Sequence, residues 1–256
     1  MKDRLVYAIK LIIGLVSFFS IGIITRFILS LFNINMNTLS DKNLLIIEVV
    51  ISIIMFIILL LLYYKEIRED FKLFKSDLSK NISYVVKMFI IFIIVKYVIS
   101  IISLLILMGL GYEVDAINSV NQSTIEGFIK ISPILMTITC SFIGPFYEEV
   151  LFRMGMKKMI GKKYMFIISS GLLFGLLHIF PLSEGISLEL GIIQSISYVT
   201  MGIFFAYVYE KSNNIFTTIG LHFLNNFISV LIMINMIFFI FLSSTLFIFL
   251  CFLLHI

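Results

Sequence analysis

The chain has 256 residues, 61% of them apolar and 13% charged, with a net charge of +4 and a mean hydropathy of +1.13. A water-soluble domain carries roughly 45–50% apolar and about 25% charged residues, so this composition excludes a single soluble core and makes lipid the solvent for much of the surface. It also excludes a disulfide framework and a cysteine metal cluster, because the two cysteines, Cys140 and Cys251, each stand alone in an apolar run.

About 20 apolar residues cross the roughly 30 Å of bilayer hydrocarbon. In chain order, the runs that qualify are 5–32, 43–64, 84–110, 127–147, 164–180, 188–209, 214–234 and 236–254. The first is too long for a signal-peptide core and is read as a span. The last two form one apolar stretch, divided near Asn235 because some 40 residues exceed a single crossing. The expectation is an all-α polytopic membrane protein of about eight transmembrane helices, organised as one membrane domain over residues 1–256. Between the second and third runs, segment 65–81 alternates charges with Phe71, Leu73, Phe74 and Leu78, the pattern of an amphipathic helix lying on the membrane surface.

Basic residues fall in alternate connections: Lys2, Arg4 and Lys10; Lys65, Arg68, Lys72, Lys75 and Lys80; Arg153, Lys157, Lys158, Lys162 and Lys163; and Lys211. The opposite connections hold Lys42 alone, and loop 111–126 carries Glu113, Asp115 and Glu126 without a base. The positive-inside rule then places both termini in the cytoplasm of a multi-pass cell-membrane protein. This bias accounts for the net charge, so no nucleic-acid partner is needed. The expected partners are membrane lipid and a membrane-bound peptide or protein. A composition rich in Ile, Lys, Asn and Phe, with no Trp, fits an AT-rich bacterial genome.

Ionisable groups inside spans are expensive and mark either function or an internal pair. At the end of the fourth run, Pro145 frees a backbone carbonyl just before Glu148 and Glu149. Glu149 and Arg153 have the spacing of an intrahelical ion pair. Adjacent helical residues point about 100° apart, so Glu148 and Glu149 are not expected to face one target, and Glu148 is left as the carboxylate free to act. His178 shares a helix face with Phe174, behind the small-residue pair Gly171 and Gly175, which admits a neighbouring helix closely. His222 and Asn226, four apart, present two polar side chains from a further span. Lys96 lies at a depth close to that of Glu48, and a buried Lys96–Glu48 pair, or an Arg26–Glu48 pair, is the expected packing role.

The candidate catalytic set is therefore Glu148, Glu149, Arg153, His178, His222 and Asn226. Two chemistries fit it. In one, Glu148 deprotonates a water that attacks a peptide carbonyl, while the imidazoles and Asn226 stabilise the oxyanion. In the other, His178, His222 and Glu148 hold a metal such as zinc. The two carry equal weight for the cofactor, zinc or none. The sequence has neither the H-E-x-x-H helix of common zinc proteases nor a G-x-S-x-G nucleophile turn. With level helix ends, the three side chains would lie at unequal depths, Glu148 nearest the cytoplasm and His178 farthest from it.

Taken in order, Glu148-Glu149-x-x-x-Arg153, Phe174-x-x-x-His178 and His222-x-x-x-Asn226 resemble the signature motifs of the CAAX-protease and bacteriocin-processing family, which includes the type II CAAX prenyl endopeptidases. The resemblance covers about residues 130–240. It implies an eight-helix fold with a cavity open to the cytosol, with Glu148 as general base. Glu149 and Arg153 would support it, and His178, His222 and Asn226 would bind water and oxyanion. It further implies an endopeptidase acting on a membrane-associated precursor, such as a peptide pheromone or bacteriocin. The rival from another class is a non-catalytic membrane scaffold or bacteriocin-immunity protein. A small transporter would require related halves or paired broken helices, and neither is present in the sequence.

Overall fold

The computed structural model describes residues 2–35, 38–113, 120–179 and 187–253; Asp115, Pro181 and His255 lie outside them. Among the described residues there is no strand, and the chain is all-α. Six helical stretches are long and apolar enough to cross a membrane: Arg4–Leu31, Asp41–Leu62, Leu78–Gly109, Pro133–Ile160, Leu188–Ser212 and Ile215–Asn235. A seventh, Lys163–Leu177, is apolar but shorter. The outer faces carry residues such as Ile23, Leu61 and Ile134, each at least 70% exposed. Exposed aliphatic faces on long helices are stable only against hydrocarbon, and the chain is a multi-pass membrane protein.

The chain begins with α1 (Lys2–Leu31) and α2 (Asp41–Leu62), the latter capped by the Ser40 hydroxyl, which accepts the Asn43 amide. The expected surface helix is α3 (Tyr64–Ser76), shorter than 65–81 because the backbone breaks at Asp77 before α4 (Leu78–Gly109) begins. Two polar contacts hold α3 in place. Lys10 on α1 donates to Glu66 at 2.8 Å. Asp70 accepts the backbone amide of Ile215, at 2.8 Å, at the start of α11 (Ile215–Leu253). That amide is one of the first-turn donors of α11 and has no partner within the helix. Asn214 completes the cap by accepting the Phe216 amide through Oδ1 and donating to the Asp70 carbonyl through Nδ2. Phe71 and Phe74 pack on the ring of Phe216.

The fourth span differs from its sequence reading. The run 127–147 is divided: α5 (Val120–Ile131) ends before Pro133, and α6 (Pro133–Ile138) starts a helical stretch that continues to Ile160. That stretch passes through a π-helical turn (Thr139–Ile143), α7 (Gly144–Glu149), a second π-helical turn (Val150–Gly155) and α8 (Met156–Ile160). Hydropathy ends the span at Glu148 because charges usually mark the interface. Here the charges are enclosed by protein, and all six residues from Val150 to Gly155 are buried.

Gly161, with φ of +67°, makes the left-handed turn into α9 (Lys163–Leu177). Next, α10 (Leu188–Ser212) packs along α9 at near-backbone contact. A Cβ on Gly171 would stand 2.7 Å from the Ile203 nitrogen, and one on Gly175 would stand 2.7 Å from the Val199 Cα. The expected small-residue seam is therefore present. Finally, α11 runs unbroken from Ile215 to Leu253. The expected break near Asn235 is not there; the 39 residues of the helix satisfy their own backbone hydrogen bonds without a turn, over about 58 Å.

Candidate active site

Extending the fourth span to Ile160 removes most of the depth mismatch. Glu148 stands 12 residues from that end, about 18 Å, while His178 is 15 residues, about 22 Å, beyond Lys163. His222, seven residues into α11, meets the pair of acids directly.

Glu149 and Arg153 form the buried ion pair read from their spacing, with Arg153 Nε 3.1 Å from Glu149 Oε2 and both side chains fully enclosed. Two unit charges without water demand further partners. Arg153 Nη1 donates to Ser170 Oγ at 2.9 Å, and the same hydroxyl donates to the Phe152 carbonyl at 2.8 Å. The guanidinium lies over the Phe174 ring, 4.7 Å from its centroid, an attraction strengthened by desolvation. The other Glu149 oxygen lies 3.0 Å from His222 Nδ1.

His222 is thus pinned through Nδ1, leaving Nε2 directed towards Glu148, whose Oε2 is 3.9 Å away. The expectation that the two glutamates could not address one target is corrected. The imidazole enters between them and offers one ring nitrogen to each, so divergent carboxylates reach opposite edges of a single ring. Glu148 keeps 18% of its side chain exposed, against none for Glu149. It lines a cavity of about 690 Å³, shared with His178, His222 and Asn226.

His178 is oriented by the interaction of its Nδ1 with the Phe174 carbonyl, at 2.7 Å, which fits the tautomer with the proton on Nδ1. Its ring stacks on Tyr198, 4.6 Å between centroids and 20° between planes, and on Phe174 at 4.3 Å. Phe174 also packs edge-on against His222, at 6.0 Å, so one aromatic ring supports both imidazoles and the Arg153 guanidinium.

Asn226 occupies a chain of hydrogen bonds. Its Nδ2 donates to the Cys140 carbonyl at 2.8 Å, and its Oδ1 accepts from Asn225 Nδ2 at 2.9 Å. Asn225 Oδ1 in turn accepts from Lys96 Nζ at 3.0 Å. The Cys140 carbonyl is available because of Pro145. The Gly144 amide bonds back to Thr139 in the π turn, and the next residue that could serve Cys140 in that register is Pro145, which has no N–H. The freed carbonyl anticipated at Pro145 is therefore one fixed point of the site.

The expected Lys96–Glu48 pair is not formed. Lys96 turns to Asn225 instead, and Glu48 has no ion-pair partner among the described residues. Sequence reasoning missed Asn225, Ser170 and Tyr198 as members of the site. Asn225 was adjacent to a chosen residue, but its 100° offset from Asn226 gave no sign that α4 would supply a lysine to it. Among the described residues, no three His, Cys, Asp or Glu side chains are arranged to hold a metal ion.

These features define a polytopic helical membrane protein with a polar, carboxylate- and imidazole-bearing cavity enclosed by its spans. Residues 130–228 match the family model described as Rce1-like, type II CAAX prenyl endopeptidase. That stretch contains every member of the site set from Glu148 to Asn226, and the resemblance read from the three motifs is borne out there. No curated protein and no solved structure matches the chain.

Proposed function

We propose that the chain is an intramembrane endopeptidase that hydrolyses a peptide bond in a membrane-associated peptide or protein, with Glu148 activating the attacking water. The observation that carries this reading is the division of labour between adjacent acids. Glu149 is enclosed and held by Arg153 and His222, whereas Glu148 is partly exposed to the cavity and 3.9 Å from an imidazole nitrogen. A general base needs to be within reach of its proton and not already neutralised by a fixed partner. The type II CAAX prenyl endopeptidase description of the matching family supports the same reaction class.

In the proposed reaction, Glu148 takes a proton from water as the oxygen attacks the scissile carbonyl carbon. His222, oriented by Glu149, holds the water and the carboxylate in register. The oxyanion accepts a hydrogen bond from the second Nδ2 proton of Asn226, while His178, its Nδ1 proton held by the Phe174 carbonyl, accepts a hydrogen bond from the attacking water at Nε2. Collapse of the intermediate breaks the C–N bond, and Glu148 returns its proton to the leaving nitrogen, giving a carboxylic acid and an amine, which exchange the remaining proton to leave as carboxylate and ammonium. Preorganised donors at an oxyanion need not reorganise during the reaction, and the Cys140 carbonyl fixes Asn226 while the Phe174 ring supports both imidazoles. The basic loops support placement in the cell membrane with a cytoplasmic N-terminus, while the unbroken α11 leaves seven crossings among the described residues and so corrects the expectation of a cytoplasmic C-terminus; precursors of secreted bacterial peptides are the proposed substrates.

The test is cleavage of candidate precursor peptides by purified protein in micelles. Glu148→Gln should lower turnover by about 10²–10⁴-fold with an unchanged melting temperature. Full activity in that variant would refute the reading and favour a scaffolding role.

A further inference from the structure

The charge left over in the cavity is Glu48. It lies on α2, on one ridge with Ser52 and Phe56, since residues four apart stack along a helix. That ridge runs beside α7. Phe56 packs on Phe146 with ring centroids 4.4 Å apart, and Ser52 faces Tyr147, the residue preceding Glu148. Glu48 is one turn, about 6 Å, beyond Ser52, and it lines the same cavity as Glu148.

Every other charge on the cavity or behind it has a partner or a role. Arg153 is enclosed with Glu149. The Lys96 ammonium is held by Asn225. Glu148 faces His222. Glu48 has neither a cation within ion-pair reach nor a side-chain hydrogen bond among the described residues, whereas Lys96 on the same cavity meets the neutral Asn225 amide. An ionisable group at such depth marks either a pair or a ligand site, and the pair is absent.

We propose that Glu48 determines specificity, its carboxylate receiving the side chain of a substrate Lys or Arg placed within a few residues of the scissile bond. The inference rests on the peptidase reading and names the substrate class. A cation entering from the lipid–water boundary leaves its hydration behind, and a charge-assisted hydrogen bond to Glu48 replaces it. Neutral peptides would leave Glu48 unpaired and gain nothing from it, so the preference is a difference between substrates rather than a general gain in binding.

The test is cut-site profiling. Purified full-length protein in micelles is incubated with a proteome-derived peptide mixture, and new termini are read by mass spectrometry for wild type, E48Q, E48K and E148Q. Wild-type cuts should be enriched for Lys or Arg near the scissile bond. E48Q, nearly isosteric with the wild type, should lose about tenfold or more in kcat/KM on basic peptides while still cutting neutral ones. E48K should shift the preference towards Asp and Glu. Wild-type cuts without basic enrichment, or enrichment that persists in E48Q, would overturn the assignment of Glu48 and leave the peptidase reading standing. No cutting above the E148Q background would overturn the peptidase reading itself, and this inference with it.

Discussion

Asn226 Nδ2 sits 2.8 Å from the Cys140 carbonyl oxygen, a bond between α11 and the π-helical turn before α7. Proline at position 145 is what keeps that carbonyl without a helical donor. Pro145→Ala would supply an N–H in π register and let the helix take back the acceptor. The expected outcome is a melting temperature unchanged or raised, because proline leaves a helix interior. Cleavage should fall by about tenfold, the equivalent of one hydrogen bond of roughly 1.4 kcal/mol. Combining Pro145→Ala with Asn226→Ala should cost no more activity than Asn226→Ala alone, which steady-state kinetics on one peptide would reveal.

Arg153 and Glu149 are both fully enclosed. Removing one member of such a pair leaves a buried charge unmatched and costs about 3–5 kcal/mol. Arg153→Leu should therefore lower thermal stability sharply in detergent. The double variant Glu149→Gln, Arg153→Met should recover much of it without recovering cleavage, since His222 would lose the carboxylate that orients Nδ1. Retained activity in the double variant would show that Glu149 does not position His222.

The seam between α9 and α10 tolerates no side chain at Gly175, where a Cβ would stand 2.7 Å from Val199 Cα. Gly175→Ala should destabilise by about 1–3 kcal/mol through overpacking and lower cleavage by displacing His178 from Tyr198. Gly22→Ala is the control, because nothing lies within 4 Å of a Cβ there; its melting curve should match the wild type or improve slightly.

Glu66 joins α3 to α1 outside the membrane spans. Burial raises its carboxyl pKa, but the hydrogen bond and charge of Lys10, together with hydrogen bonds from its own backbone and from Tyr7, outweigh burial and hold it below its ordinary value of 4.5. The folded protein thus binds this proton more weakly than the unfolded chain. Its contribution is complete above the unfolded value and is lost as pH falls through the folded one. Melting temperatures measured from neutral pH down through the carboxylate range should decline, and Glu66→Gln should start lower and decline less. Parallel curves for the two proteins would assign the acid sensitivity elsewhere.

The sequence alone determined the all-α membrane class, because a polypeptide this apolar can satisfy its backbone in lipid only as helices or a closed barrel, and its apolar runs are too long for strands. It also determined the intrahelical geometry: Glu149 with Arg153, His178 beneath Phe174, the glycine seam and the carbonyl freed by Pro145 all follow from fixed helical spacing. Only the tertiary structure decided what spacing along one helix cannot encode. Interhelical neighbours turned Lys96 to Asn225 rather than Glu48, placed His222 between two glutamates that diverge on their own helix, and carried the fourth span past its charges to Ile160. Hydropathy treats a charge as water-seeking wherever it stands; packing shields it when a partner arrives from another helix, and that arrival is a property of the assembled bundle.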